Sequence, residues 1–231
     1  MSVSTENYLK AITSHYINSK KEIRTSELSD LLSIKPASVT EMIKKLSLKK
    51  LIKHEPYKGI FLTPTGKVLG LKILRRHRLL ELFLTTCLGY SWDDVHDEAE
   101  RLEHAVSETL IDKIDSYLSY PKFDPHGDPI PQKDGSYPRY EEVSRLNMLQ
   151  EGFVGQIVRI SNDDKSFLNY ITSINCSIGK TITVLKCYDF DKSVDILVDN
   201  NCVHVTDFVT ENIWLIPKNN KGKNNNDKNI K

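Results

Sequence analysis

The sequence predicts a mainly α-helical protein with a small β domain: an N-terminal winged helix-turn-helix, a helical middle and a C-terminal SH3-like barrel. Three observations predict this. Apolar residues recur at helical spacing from residue 4 to residue 119. From residue 152 the pattern changes to short alternating strands separated by Gly, Asn and Asp. Residues 1–78 hold 16 Lys and Arg against 6 Asp and Glu, a balance of +10, and the remaining 153 hold 16 against 25, a balance of −9. A basic first part joined to an acidic remainder suits one region facing a polyanion and another holding cations.

In chain order, residues 4–17 form a helix with Tyr8, Leu9, Ile12, Tyr16 and Ile17 on one stripe. In RTSELSDLL, Thr25 is the expected N-cap of a short second helix, with Leu28, Leu31 and Leu32 buried. A tight turn leads to Pro36 at the first position of a third helix, where Val39, Met42, Ile43 and Leu46 point inward. Its outward face offers Lys35, Ala37, Ser38, Thr40, Glu41, Lys44 and Lys45. Small residues let the backbone approach base edges, and hydroxyls can donate to phosphates or bases. Two strands, at Leu51–His54 and Ile60–Leu62, flank a Pro-Tyr-Lys-Gly turn and make a basic wing with Tyr57 and Lys58 at its tip. The DNA-binding candidates are therefore Thr25, Ser26, Lys35, Pro36, Ala37, Ser38, Thr40, Glu41, Lys44, Tyr57 and Lys58. The competing reading is a protein-binding three-helix module; the charge, the Pro36 start and the wing agree on double-stranded DNA.

Thr63-Pro64-Thr65-Gly66 caps a long helix running from about Lys67 to Leu88. It is apolar on more than one face, which calls for a partner surface and suggests a homodimer. Ser91 with Asp94 opens a helix over SWDDVHDEAERLEHAV, and Ser107-Glu108 opens another with Leu110, Ile111, Ile114 and Leu118 inside. Across the first two of these helices His77 and Glu81 share one face, as do His96, Glu100, Glu103 and His104. Imidazoles and carboxylates converging from two helices suit a divalent cation of intermediate hardness; the bland alternative is a solvated, charged helix pair. Residues 132–151 are polar and turn-rich, as a linker would be. Residues 152–217 supply five or so short strands and one helix. The Lys/Asn-rich tail, 218–231, has almost nothing to bury and is expected to be disordered. The domains are thus 1–66, 67–131, the linker 132–151, 152–217 and the tail 218–231.

No apolar run approaches the roughly 20 residues a membrane span needs, and the amino terminus lacks a basic-then-apolar secretory pattern. The four cysteines, Cys87, Cys176, Cys187 and Cys202, show no CxxC pairing and read as free thiols of a reducing cytosol. A cytoplasmic protein with no membrane partner and no small-molecule substrate is expected. An enzyme is not: HExxH, HxxEH and a nucleophile elbow are all missing.

The order helix-turn-helix, wing, RRHRLLELFL and WDDVHDEAERLEHAVSE, followed by the loop YPKFDPHGDPIP, resembles the metal-dependent repressors of the diphtheria toxin repressor (DtxR/MntR) family over residues 4–131. The branch it is most similar to is manganese-responsive and carries a C-terminal SH3-like, FeoA-type domain. The resemblance implies a metal-activated homodimer that represses metal-uptake genes from a palindromic operator. It implies a regulatory site at Glu100, Glu103 and His104, with the first-helix ligand falling on Asn7, where the family has an acid or methionine. Lys10 stands where one manganese subgroup has a second glutamate, so a binuclear site of that type is not expected. An ancillary site would use His77, Glu81 and His96, joined by Asp124 and His126 from the loop and by Asp163 or Asp164 from the C-terminal domain. Carboxylate where the family's iron-sensing branch has thiolate favours Mn2+, with Fe2+ the alternative and Zn2+, Co2+ or Cd2+ possible in vitro. The rival functions are a winged-helix regulator sensing Fe2+ or an organic ligand, and a metal-dependent hydrolase.

Overall fold

The chain enters the fold through α1 (Val3–Ser19), which starts on Ser2, whose hydroxyl accepts from the Thr5 amide, and ends on Lys20 in the left-handed region. Tyr8, Leu9, Ile12 and Ile17 make its buried stripe, so Glu6, Asn7 and Lys10 fall on another face. The computed structural model describes residues 1–218. The chain divides into two units, Met1–Pro138 and a second beginning at Arg139. Beyond Lys218, the tail expected to be disordered lies outside the described residues. No helix is long and apolar enough to cross a membrane among them.

In the first unit α2 (Thr25–Leu32) and α3 (Pro36–Leu48) form the helix-turn-helix, with Pro36 in the first turn of α3. The strands β1 (Ile52–Glu55) and β2 (Gly59–Leu62) pair antiparallel as the wing. Their shared core joins Tyr8, Leu9, Ile12, Leu28, Val39, Ile43, Leu46, Ile52 and Ile60. Two expectations need correction. The N-cap of α2 is Arg24 and not Thr25, because the Arg24 amide donates to the Glu27 carboxylate at 2.7 Å and Thr25 is already helical. Leu31 is 57% exposed, because α2 turns Leu28 and Ser29 inward instead.

The long helix α4 (Pro64–Leu88) starts on the Thr63 hydroxyl, three residues before the expected Lys67, since Pro64 is well suited to a first turn. It threads two cores. Ile73 belongs to the winged-helix core, and Leu79, Leu80 and Leu84 pack with Val95, Ala99, Ile111, Ile114 and Ile130 in a second. Gly70 lets α4 press against α1, for an added Cβ would lie 1.9 Å from Thr13 Oγ1. Between the two cores α4 carries a buried polar collar of Arg75, His77, Arg78 and Glu81.

Two helices complete this core. Helix α5 (Val95–Leu102) is shorter than expected: Ser91 to Asp94 form a turn before it, and Glu103 and His104 fall at its C-terminal cap and just beyond. Helix α6 (Glu108–Tyr117) is capped by Ser107 as expected, but Leu110 is 46% exposed while Ile111 and Ile114 are buried. At about 100° per residue Leu110 is about 40° from Ile114 and about 100° from Ile111, which puts it at the edge of the buried stripe.

The second unit is a six-stranded antiparallel sheet in the order β3-β8-β4-β5-β6-β7, from β3 (Ser144–Arg145), β4 (Val154–Ile160), β5 (Thr181–Cys187), β6 (Val194–Val198), β7 (Asn201–Val205) and β8 (Ile213–Pro217). Register shifts at Ile157/Arg159 and Val184/Lys186 mark bulges that bend and twist it. Helices α7 (Lys165–Ser173) and α8 (Asp207–Asn212) complete the unit. Burial alternates along β4, β5 and β6, with Ile157, Ile182, Val184, Ile196 and Val198 inside. The stretch 132–151 is not linker throughout. Ser144 and Arg145 pair with β8, and Leu146 is fully buried in a 3-10 turn.

Candidate metal centre and nucleic-acid interface

The exposed face of α3 presents Lys35, Pro36, Ala37, Ser38, Thr40, Glu41 and Lys44 to solvent, as the helical period requires. Ser26 is exposed and Thr25 half-buried at the start of α2. The Thr40 hydroxyl donates back to the Pro36 carbonyl at 2.9 Å, which leaves its lone pairs outward. Glu41 is paired with Lys45 at 2.7 Å, and that ammonium holds its carboxyl below the ordinary range. On the wing Tyr57 is fully exposed at φ 66°. Lys53 and Lys58 both close on Glu55, at 2.6 and 2.9 Å, and hold it down at about 2. Glu55 and Lys53 are wing residues that the sequence reading missed.

The titratable cluster lies where α1, the collar of α4 and the end of α5 meet. Glu100, Glu103 and His104 bring carboxylate oxygen and imidazole nitrogen within 4.8 Å of one another. Glu103 is fully buried, and the Arg76 guanidinium holds its main chain in place by donating to the Glu103 carbonyl at 3.0 Å. From α1, Glu6 Oε2 meets His104 Nδ1 at 2.8 Å, which orients the ring and leaves Nε2 as the inward atom. Lys10, one turn further along the same face, meets Glu100 and lies 2.9 and 3.0 Å from the two Glu103 oxygens. Asn7 sits between them on that face. Its Oδ1, with Glu103 Oε1 and His104 Nε2, is buried without a hydrogen-bond partner among the described residues. Lys10 is close to Glu103 Oε1 but is not aligned to donate to it. Asn7 Oδ1 and His104 Nε2 are inward lone-pair atoms with no donor, and Glu103 Oε1, 3.4 Å from His104 Nε2, meets only the unaligned Lys10 ammonium. A cation would satisfy all three, since leaving a buried acceptor unpaired costs about 1–3 kcal/mol.

A second grouping gathers Glu81 with Asp124 and His126, all buried. Asp124 Oδ1 accepts from the His126 and Asp128 amides at 2.9 and 2.8 Å, which folds the proline loop around it. Its Oδ2 faces Arg78 Nε at 3.5 Å. His126 Nε2 donates to the Trp92 carbonyl at 2.8 Å, which leaves Nδ1 as the ligand atom. Burial, with Asp128 and Glu81 nearby, pushes Asp124 up to about 7 against the pull of Arg78.

His77 bridges the two groupings. Its Nδ1 is 2.6 Å from Glu103 Oε2 and its Nε2 is 3.0 Å from Glu81 Oε1. Burial disfavours its charge, but the two carboxylates outweigh burial and hold it up at about 9. Burial likewise opposes the charge on Glu81 and Glu103, and His77 reverses that for both, helped by Lys10 at Glu103. His96, half-buried, sits edge-on to His77 with Nδ1 at 3.2 Å from Glu81 Oε1. The set His77, Glu81 and His96, expected to act together, does lie together, with Glu81 Oε1 at 3.0 and 3.2 Å from the two rings; Glu81 also meets the loop residues Asp124 and His126, and His77 and His96 also lie near Glu100. Asp164 caps α7, accepting from the Phe167 amide at 3.0 Å. Asp163 is exposed beside it, and a ligand role for either rests on the resemblance alone. Glu6, Arg76 and Arg78 were missed; on α1 the signal for Glu6 was a polar face shared with Asn7 and Lys10.

Every donor at the two centres is oxygen or imidazole nitrogen, the set that suits manganese and similar divalent ions rather than thiophilic ones. The free cysteines lie elsewhere. Residues 1–60 match the model of the iron dependent repressor N-terminal DNA binding domain, residues 63–132 its metal binding and dimerisation domain, and residues 144–217 the FeoA domain. An HTH-type transcriptional regulator of Methanocaldococcus jannaschii is 38% identical over 118 residues, covering 51% of this chain and 94% of that one. The regulator MntR of Geobacillus thermodenitrificans is 36% identical over 117 residues, 51% of this chain and 82% of that one. A solved manganese-dependent transcriptional repressor in complex with manganese superposes with a TM-score of 0.85 at 36% identity, covering 93% of this chain and 100% of that one. The recognition-helix face, the wing, the two N/O donor centres and these matches agree: the chain belongs to the iron-dependent repressor family of DNA-binding transcriptional regulators and is not an enzyme.

Proposed function

We propose that the protein is a manganese-responsive repressor, cytoplasmic and homodimeric, which binds a palindromic operator and controls metal-uptake genes. The observation that carries this reading is the trio of inward atoms without a hydrogen-bond partner among the described residues, Asn7 Oδ1, Glu103 Oε1 and His104 Nε2, at the seam between α1 and the segment after α5. With Glu100 they are the residues that would hold the ion. Manganese held by these residues would supply positive charge to the seam.

The residues do the rest. Asn7 belongs to α1, whose Tyr8, Leu9 and Ile12 are built into the winged-helix core, so fixing Asn7 fixes α2, α3 and the wing as one body. Arg76 holds the Glu103 main chain, and Glu6 holds His104. Two such bodies in a dimer must present their α3 faces to successive major grooves, about 34 Å apart. Anything that orders the seam raises the population of dimers with that spacing, and DNA must tighten metal binding by the same factor. The second centre, Glu81 with Asp124 and His126, ties the proline loop to the part of α4 beyond Gly70 and Ile73, the residues through which that helix joins the DNA-binding body. Similarity to the manganese-dependent repressor supports the choice of ion, as does the absence of sulfur from the donors.

The test is fluorescence anisotropy on a duplex selected by the Mn2+-loaded protein, at fixed ionic strength, with Mn2+, Fe2+, Zn2+ or chelator. Mn2+ is expected to tighten binding most. Equal affinity in chelator would overturn the reading, and a larger response to Fe2+ would reassign the ion.

A further inference from the structure

We infer that the DNA-binding body carries a second kind of ligand site, for a small aromatic carboxylate, in a cavity between the end of α1, the base of the wing and the first turn of α4. The inference stands apart from the metal-responsive reading above, and its test needs neither metal nor DNA.

The cavity follows from how the chain turns. Helix α1 ends on Lys20 in the left-handed region, and the chain then reverses. Ile23 bridges Ile60 of β2, whose amide donates to the Ile23 carbonyl at 2.9 Å. Between this bridge and α1 a space of about 220 Å³ stays open. Its floor is made of the core residues Ile12, Ile23 and Ile60, and half-buried Tyr16, Phe61 and Leu62 wall it. It lies along β2, away from the wing-tip residues Tyr57 and Lys58.

Three ammonium groups, those of Lys20, Lys21 and Lys67, line this space against one carboxylate, Glu22. Elsewhere in the same body lysines close on acids, as Lys45 does on Glu41 and as Lys53 and Lys58 do on Glu55. Around the cavity they meet aromatic groups instead. Lys20 donates to the Tyr137 hydroxyl at 2.7 Å and stands 4.8 Å from that ring's centre, and Lys67 stands 5.5 Å from the centre of the Tyr16 ring. Phenol oxygen and ring faces hold an ammonium in place without cancelling its charge. An anion entering here meets positioned cations and only one opposing carboxylate.

The lining also selects among anions. Phosphate is favoured by forked guanidinium groups or by main-chain amides at a helix N-terminus, and no arginine lines this cavity. The apolar floor and the two aromatic residues suit a flat ring, which they would shield from water. A volume of about 220 Å³ lies below the range of about 300–1,000 Å³ typical of drug-sized ligands, so it suits one ring with one carboxylate rather than a nucleotide. A ligand seated there touches α1, the bridge to β2 and α4 together, so its binding stabilises the DNA-binding body as one piece.

The probe is benzoate, added to the full chain in EDTA, with benzamide and inorganic phosphate as controls. In two-dimensional amide NMR spectra the shifts should gather at residues 20–23, 60–62 and 67 and saturate with a Kd on the order of 1 mM, a reasonable strength for so small a ligand. The melting temperature should rise with benzoate. Benzamide keeps the ring and loses the charge, and phosphate does the opposite; each should bind about fivefold or more weakly. The double variant Lys20→Met, Lys67→Met, whose remaining spectrum reports its folding, should lose about fivefold in benzoate affinity and keep its benzamide affinity. Shifts that do not saturate, or that centre on other residues, overturn the site. Benzamide binding as tightly as benzoate, or a double variant with unchanged benzoate affinity, overturns the role of the lysines. Phosphate binding as tightly as benzoate overturns the ligand class and makes the cavity an extension of the DNA-backbone surface.

Discussion

The two donor centres of the helical region are built from the same residue types, yet they differ in which element brings the positive charge. At the first, the cation comes from Lys10 of α1, a helix of the DNA-binding body, and the carboxylates come from α5 and its cap. At the second, the cation is Arg78 of α4, three residues from Glu81 on the same helix, and the partner is the proline loop. On the proposed function, occupying the first centre would fix α1 against the end of α5, and occupying the second would stiffen α4 and its loop. His77 lies between them and lets each feel the charge of the other. Similar donors therefore do not imply similar roles, and the role follows from where the elements lead.

The largest expected effect breaks both centres together. Glu81→Ala leaves the His77 imidazolium without its Nε2 anion and removes a donor from the loop centre, and a broken buried pair costs about 3–5 kcal/mol. The melting temperature of the metal-free protein should fall accordingly; an unchanged value would mean His77 is not charged there. Gly70→Ala separates the centres. A Cβ 1.9 Å from Thr13 Oγ1 must push α1 from α4, at about 1–3 kcal/mol. Calorimetric titration should show weaker Mn2+ binding at the first centre and unchanged binding at the second. His126→Ala should do the reverse, removing one ion per chain while DNA affinity at saturating Mn2+ falls by about tenfold or less. A larger loss would place the switch at the loop.

The smallest effect is in pH dependence. Asp124 has its folded pKa raised to about 7 from its ordinary 3.8. Its contribution to stability is therefore fully present below about 4 and is lost as pH rises through 7. Metal-free Asp124→Asn should show a shallower fall in stability between pH 4 and 7 than wild type, measured by urea denaturation at each pH. An equal fall would show that Arg78 keeps Asp124 ionised across that range.

The helix-turn-helix was legible because apolar periodicity, the Pro36 start and the wing turn are local signals that agree. The six-stranded unit was legible from alternation in β4, β5 and β6, but a strand of two residues, β3, is too short to show a period. Leu146 looked like linker because its neighbours are polar; only the sheet reveals that it is core. The end of α5 was misplaced because Glu103 and His104 continue the helical pattern, and what holds Glu103 at the cap is Arg76, 27 residues earlier. The donor residues and their two groupings were visible, but the link between the groupings through His77 was not. Spacing pairs His77 with Glu81 on one helix, whereas its shorter contact is to Glu103 across the fold. Lys10 was visible as a departure from a metal-ligand pattern, and only the fold shows its ammonium set between the Glu100 and Glu103 carboxylates.

The central claim is that the first centre carries the switch, and Glu103→Ala tests it most directly. DNA affinity is measured by anisotropy in Mn2+ and in chelator for wild type and for this variant, whose folding is checked by circular dichroism. Wild type should bind DNA about 5- to 150-fold more tightly with Mn2+, the usual range of allosteric coupling, and Glu103→Ala should show no difference. A variant that still tightens as wild type does, or a wild type that does not tighten at all, would contradict it.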